Sequence, residues 1–228
     1  MRLLKVMCVM TATLMTGQAA AAFTLNGSRF IYEEGKKNIS LEVTNNAKET
    51  YAGQVWITNI SQNKSDVFMV PAPPFFKVVA GQKQIIRLSK VSDALPSDRE
   101  SLFWLNVQEV PPKPKVEDGQ NILSIAMNTQ VKLIYRPKAL VKARNDAEKN
   151  LTLVTRDGRM WVNNPTPYYF AVTEIKVNGK VASLPAEKKN ALTILAPFTA
   201  ADTGLAPGGK VSVKSINDYG GIDDYEIQ

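Results

Sequence analysis

The sequence of 228 residues contains no histidine and a single cysteine, Cys8. Without imidazole, the side chain that changes charge near neutral pH is missing, and one thiol forms neither an internal disulfide nor a thiolate cluster for zinc. Most general-base, nucleophilic-thiol and zinc-dependent enzyme classes are therefore not expected, and no paired catalytic residues stand out in what is left. No phosphate-binding loop of the Walker type occurs, so nucleotide-driven work is not expected either. Long apolar runs are missing too. The mostly apolar stretch Val6 to Met15 falls short of the roughly 20 residues a membrane-spanning helix needs, and nothing later approaches that length. There is no solenoid or propeller repeat and no low-complexity tract.

What is present is a chain that is 44% apolar, enough to bury a core, with a formal charge of +7. Such a charge favours anionic partners and says nothing of fold. Nucleic acid is not among the expected partners, because Lys and Arg are dispersed along the chain. The first residues also read as an address. Arg2 and Lys5 precede the apolar run, and Gln18 to Ala22 is a stretch of mostly small residues in which Ala19-Ala20-Ala21 fits cleavage after Ala21. Loss of residues 1–21 removes Arg2, Lys5 and Cys8, which lowers the charge by two to +5 and leaves an exported chain with no thiol. With no disulfide available, each domain must be held by its apolar core.

Short runs rich in Val, Ile, Leu and Tyr recur between Gly, Pro, Asn and Asp clusters, which predicts an all-β protein. The expected strands are Ser28 to Tyr32, Asn38 to Thr44, Tyr51 to Asn59, Phe68 to Val70, Gln84 to Leu88, Leu102 to Val110, Ile122 to Tyr135, Leu151 to Val154, Met160 to Asn163, Phe170 to Val177, Leu192 to Leu195 and Lys210 to Ile216. Asp157-Gly158, Asn178-Gly179 and Pro207-Gly208-Gly209 are turn signals. Seven strands before Arg136-Pro137 suit one immunoglobulin-like sandwich, and those after it a smaller β-sandwich. The expected organisation is a leader at 1–21, an N-terminal domain at 22–142 and a C-terminal domain at 143–228, with the polar segment Lys142 to Asn150 as a linker.

One expected strand is too long for its domain. In Ile122 to Tyr135, the positions Leu123, Ile125, Met127, Val131, Leu133 and Tyr135 are apolar, while the alternate positions are mostly polar or small. One oily face would run for about 45 Å at about 3.3 Å per residue, where a sandwich strand has five or six residues. The Pro- and Lys-rich segment Pro111 to Gln120 before it reads as a loop. Leu123, Ile125 and Met127 therefore either fill the core or form an interaction edge, and alternation alone does not choose between these.

Several separated motifs resemble the periplasmic chaperones of the chaperone-usher pilus pathway. They are Gly27-Ser28-Arg29-Phe30-Ile31-Tyr32, the stretch Asp98 to Val107 with Glu109 to Pro112, the stretch Val131 to Pro137, Asn164 to Tyr169, and Ile216 to Gly221. The resemblance covers essentially the whole chain after the leader. It implies two immunoglobulin-like domains set in an L shape around a cleft, and a non-enzymatic, cofactor-free protein of the periplasm that caps pilus subunits and delivers them to an outer-membrane usher. Capping of this kind is a form of β-augmentation, for which pilin donor-strand complementation is a known example.

Carried onto this chain, the resemblance makes Leu123, Ile125 and Met127 the donated side chains, and makes Arg29 and Lys132 the anchor of a subunit's C-terminal carboxylate. Glu100, Arg136 and Asp218 match a structural ion-pair cluster between the domains. The short loop without cysteine matches the short-loop group that serves rod-forming pili. Whether the free protein caps itself as a homodimer is left open. A secreted two-domain adhesin or other β-sandwich binding module is the competing reading, and a β-sandwich hydrolase a weaker one. Asp223-Asp224 reads as a solvated tail rather than a catalytic dyad, since neighbours on a strand point to opposite faces.

Overall fold

The computed structural model describes residues 21–113 and 123–228. The expected leader, most of the Pro111 to Gln120 loop and Ile122 lie outside the described residues. The strands are β1 (Phe23–Leu25), β2 (Arg29–Glu33), β3 (Ile39–Asn45), β4 (Tyr51–Asn59), β5 (Met69–Ala72), β6 (Phe75–Val78), β7 (Lys83–Lys90), β8 (Ser101–Val110) and β9 (Asn128–Arg136). They are followed by β10 (Thr152–Arg156), β11 (Arg159–Asn164), β12 (Val172–Val177), β13 (Lys180–Val181), the helix α1 (Ala186–Thr193), β14 (Thr199–Asp202), β15 (Val211–Ile216) and β16 (Ile222–Ile227).

The first nine strands form two facing sheets, ordered β1-β3-β7-β5 and β2-β9-β8-β4-β6. Their inward side chains follow the period-two rule: Leu41 and Val43 from β3, Ile86 and Leu88 from β7, Phe103, Leu105 and Val107 from β8, and Leu133 and Tyr135 from β9 share one buried core. Gly53 on β4 lies under two rings, so an added Cβ would come within 2.3 Å of Phe76 and 2.9 Å of Phe23. Gly53→Ala is expected to lower stability by about 1–3 kcal/mol through overpacking, read as a shifted denaturant midpoint with an unchanged slope.

The C-terminal sandwich pairs the sheet β10-β11-β14 with β13-β12-β15-β16 around Met160, Val162, Phe170, Ile175, Val213 and Tyr225. Asp157-Gly158 and Asn178-Gly179 are the hairpin turns the sequence predicts, with all four residues at positive φ, as two-residue turns of the primed type require. A third, small cluster joins the two sandwiches: Leu102, Ile134, Ile31 and Ile60 meet Tyr169, Ile194 and Ala196.

Three expectations are corrected and one is refined. The segment Leu192 to Leu195 is not a strand, because α1 runs to Thr193 and only Leu195 bridges, to Phe170. Pro185 followed by Ala-Glu-Lys-Lys starts a helix, and its one buried side chain is Leu192. The segment Lys142 to Asn150 does run between the two sandwiches, but it is partly packed, since Arg144, Ala147 and Glu148 are buried and residues Ala147–Asn150 form a 3₁₀ turn. The acidic pair Asp223-Asp224 is exposed, as a solvated pair should be, but it lies in β16 rather than in a tail, with Asp223 accepting from Asn217 and Asp224 from Lys176. Finally, the long strand begins at Asn128, and 123–127 precedes it outside any strand.

Candidate functional site

Two cations from distant parts of the sequence are brought side by side by the parallel pairing of β2 with β9. In that register Arg29 faces Lys132 directly. Lys132 points from the sheet toward the C-terminal domain, where its Nζ donates to the Thr193 carbonyl at the end of α1. Arg29 Nη1 donates to the Ile216 carbonyl at the end of β15, at 2.8 Å. Each cation thus spans the junction between the domains. Arg29 Nε is buried with no hydrogen-bond partner among the described residues. Two adjoining cations, one with an unsatisfied donor, have the chemistry to hold an anion that brings its own acceptors.

The electrostatics agree. Burial, and then the neighbouring charge of Arg29, pulls the Lys132 ammonium down to about 8. Burial also lowers Arg29, with Asp218 partly compensating. Because the folded-state value of Lys132 lies below its unfolded value, the unfolded chain binds the extra proton between about pH 8 and 10.5. Charged Lys132 therefore costs stability at neutral pH, and that cost is relieved as pH rises through this window. Lys132→Met is expected to stabilise the unliganded protein at pH 7 by an amount on the order of 2 kcal/mol, read as a raised thermal midpoint, and to flatten the rise above pH 8.

Five to nine residues before Lys132 the chain carries three exposed apolar side chains: Leu123, Ile125 and Met127 are 84%, 66% and 47% accessible. The Glu109 N–H donates to the Met127 carbonyl at 3.0 Å, which fixes where this segment leaves the sheet. Beyond that bond the segment is in no strand, and its backbone makes no further hydrogen bond among the described residues. These side chains are therefore not core residues of the N-terminal sandwich.

The ion pairs between the domains form one cluster. Arg136 Nε donates to Glu100 Oε1 at 2.6 Å, and its Nη1 and Nη2 donate to Asp218 at 2.6 and 3.1 Å. Glu100 Oε2 accepts the Tyr169 N–H at 2.7 Å, and the Glu100 N–H donates to the Pro167 carbonyl at 2.9 Å. The two sequence motifs of the C-terminal domain explain this geometry. Asn164 accepts from Thr166 and donates to the Tyr168 and Ala196 carbonyls, shaping the turn that presents Pro167 and Tyr169. Asn217 Oδ1 accepts from the N–H groups of Tyr219 and Gly221, folding the turn that aims Asp218 at Arg136.

Burial pushes the Glu100 carboxyl up, only partly offset by Arg136. Burial would also raise Asp218, but its hydrogen bonds from Arg136 hold it below the usual range. Arg136 is drawn down by burial yet raised overall by these two carboxylates. Reading the sequence missed two members. Arg144 grips Glu148 through two bonds of 2.8 Å, approaches Asp218 at 3.5 Å, and lies over the rings of Tyr168 and Phe170. Their i, i+4 spacing in a polar stretch looks like a surface pair, and only tertiary packing buries it.

Comparison with known proteins places these features in a family. Residues 22–141 match the family described as pili and flagellar-assembly chaperone, PapD N-terminal domain, and residues 146–227 match the PapD C-terminal domain of pili-assembly chaperones. The chain is 43% identical to the chaperone protein FanE of Escherichia coli over 225 residues, covering 98% of each. It is 36% identical to the Escherichia coli chaperone protein FaeE, covering 99% of this chain and 86% of that one. Among solved structures it resembles the E. coli chaperone DraB, with a TM-score of 0.76 and 29% identity over 90% of this chain and 95% of that one. It also resembles the Salmonella enterica SafB chaperone, solved in complex with the SafA pilin, with a TM-score of 0.77 and 27% identity over 92% and 97%. With both domains matched and relatives similar along their length, the chain belongs to the PapD family of pili-assembly chaperones.

Proposed function

We propose that this chaperone captures pilus subunits by lending them the segment 123–127 while Arg29 and Lys132 hold the subunit's C-terminal carboxylate. The carrying observation is that Lys132 and the exposed alternating segment belong to one continuous stretch of chain, with Arg29 set beside Lys132 by the β2–β9 register. From Lys132 back to Leu123 is about 30 Å in extended conformation, the reach of a full strand of a partner laid along it. The anion fixes the partner's register, backbone hydrogen bonds hold it regardless of sequence, and Leu123, Ile125 and Met127 enter alternate positions of an open groove. Three such side chains would contribute about 1.5–3 kcal/mol each before the costs of association. The unbranched, polarizable Met127 adapts to more than one groove.

The reading places the protein in the periplasm, which the export-type leader supports, and no helix among the described residues is long and apolar enough to cross a membrane. It makes capping independent of nucleotide and of any cofactor, with delivery of the capped subunit to an outer-membrane usher. The glutamate–arginine–aspartate cluster of Glu100, Arg136 and Asp218 has a structural part here: it holds the domain carrying Thr193 and Ile216 against the domain carrying the two cations. The test is Ile125→Asn. Co-purification with a co-expressed subunit is expected to fall at least tenfold while the thermal midpoint stays within about 1 °C, since the residue is exposed. Unchanged capture, or a large loss of stability, would refute the donated-segment role.

A further inference from the structure

Glu109 is a buried carboxylate that neither the cation pair nor the interdomain cluster uses. It sits near the end of β8, opposite Gly53 on β4, and its side chain points inward with Phe103, Leu105 and Val107. Its Oε2 accepts the backbone N–H of Phe23 at 3.0 Å. It takes part in no ion pair among the described residues. A buried carboxylate with one neutral donor is poorly compensated, and such groups normally acquire a cation.

The sequence supplies one. Leader removal after Ala21 turns Ala22 into the first residue, and Ala22 is itself buried, with its carbonyl accepting the Asn46 N–H at 2.7 Å. The new ammonium would stand one residue from the N–H that already reaches Glu109. We propose that Glu109 is the counter-ion of the mature amino terminus, so that leader cleavage completes a buried ion pair absent from the precursor. The pair has a further consequence for the donated segment. The same residue holds Met127 through its backbone N–H, so the new terminus anchors the point where 123–127 departs from the sheet.

The titratable groups around the site are few. Tyr51 on β4 packs edge-on against Phe23 on β1, and Lys77 on β6 points to the opposite face of its sheet, where it is exposed. Neither supplies a positive charge to Glu109. The α-amine is thus the group whose titration should report the pair.

The experiment uses the exported protein, its first residue established by mass spectrometry, and competitive acylation of its α-amine across pH. The amine is expected to titrate above about 9, against about 8 in Glu109→Gln and in a chain extended by Gly-Ser before Ala22. Glu109→Gln is also expected to lower the folding equilibrium constant at pH 7 at least tenfold more in the exported chain than in the extended one. The same amine titration in the exported and extended wild-type chains would overturn the proposal even if the Gln variant failed to fold. So would equal destabilisation of both forms, or a mature terminus starting after Phe23.

Discussion

Replacing both Arg29 and Lys132 with alanine is expected to weaken subunit capture by roughly 10²–10⁴-fold. Two charge-assisted hydrogen-bonding groups contribute about 1.5–3 kcal/mol each, and every 1.4 kcal/mol is a factor of ten. The pair is positioned by strand pairing rather than by loops, so the loss should not be recovered by rearrangement: in the β2–β9 register the two residues are direct neighbours. Stability should move the other way or stay level, because burial and mutual repulsion make both charges costly in the unliganded protein. This opposition separates a binding role from a structural one. Arg29→Lys should retain charge yet lose the fork geometry, giving a smaller defect than alanine. Capture should also weaken as pH rises past about 8, where the Lys132 ammonium of the free protein loses its proton, and binding there should be accompanied by proton uptake. Titration calorimetry with a purified subunit, or with a peptide of its C-terminal strand, measures both. Full-strength capture by the double variant would leave the cations without a part in recognition.

Much of this site could be read before any coordinates. Alternation marked Leu123, Ile125 and Met127 as one face, and the structure places all three in solvent. What periodicity could not show was where that face leaves its own sheet, because apolar side chains alternate in the same way on either side of Met127. The pairing of Arg29 with Lys132 follows from a parallel contact between segments far apart in sequence, and no local pattern encodes such a contact; the family resemblance alone brought the two together. The helix α1 was obscured because Leu192, Ile194 and Leu195 read as a short apolar strand, whereas Pro185 and the following Ala-Glu-Lys-Lys carried the better signal. Arg144 and Glu148 were lost for the opposite reason. Charged residues in a polar stretch are normally solvated, and here the rings of Tyr168 and Phe170 lie against Arg144, which in turn holds the buried Glu148.

Glu100→Ala is expected to cost about 3–5 kcal/mol. The change strands two partners at once. Arg136, itself buried, keeps only Asp218, and the N–H of buried Tyr169 loses its 2.7 Å acceptor. Since Glu100 belongs to β8 and Tyr169 to the C-terminal domain, the defect lies where the domains meet, beside the apolar cluster of Leu102, Ile134 and Ile194. Glu100→Gln keeps an acceptor for Tyr169 and removes the charge whose burial is unfavourable, so it should cost less than alanine. Acid should act through Asp218. Its folded-state value is depressed, so its contribution is fully present above the unfolded carboxylate range and is lost as pH falls through the folded value. Asp218→Asn should therefore lower stability at pH 7 and remove that part of the acid-side decline, as read by urea unfolding at a series of pH values. If Glu100→Ala lost less than about 1 kcal/mol, the cluster would be a surface-like network of little consequence, and the rigidity of the junction would have to come from the apolar contacts alone.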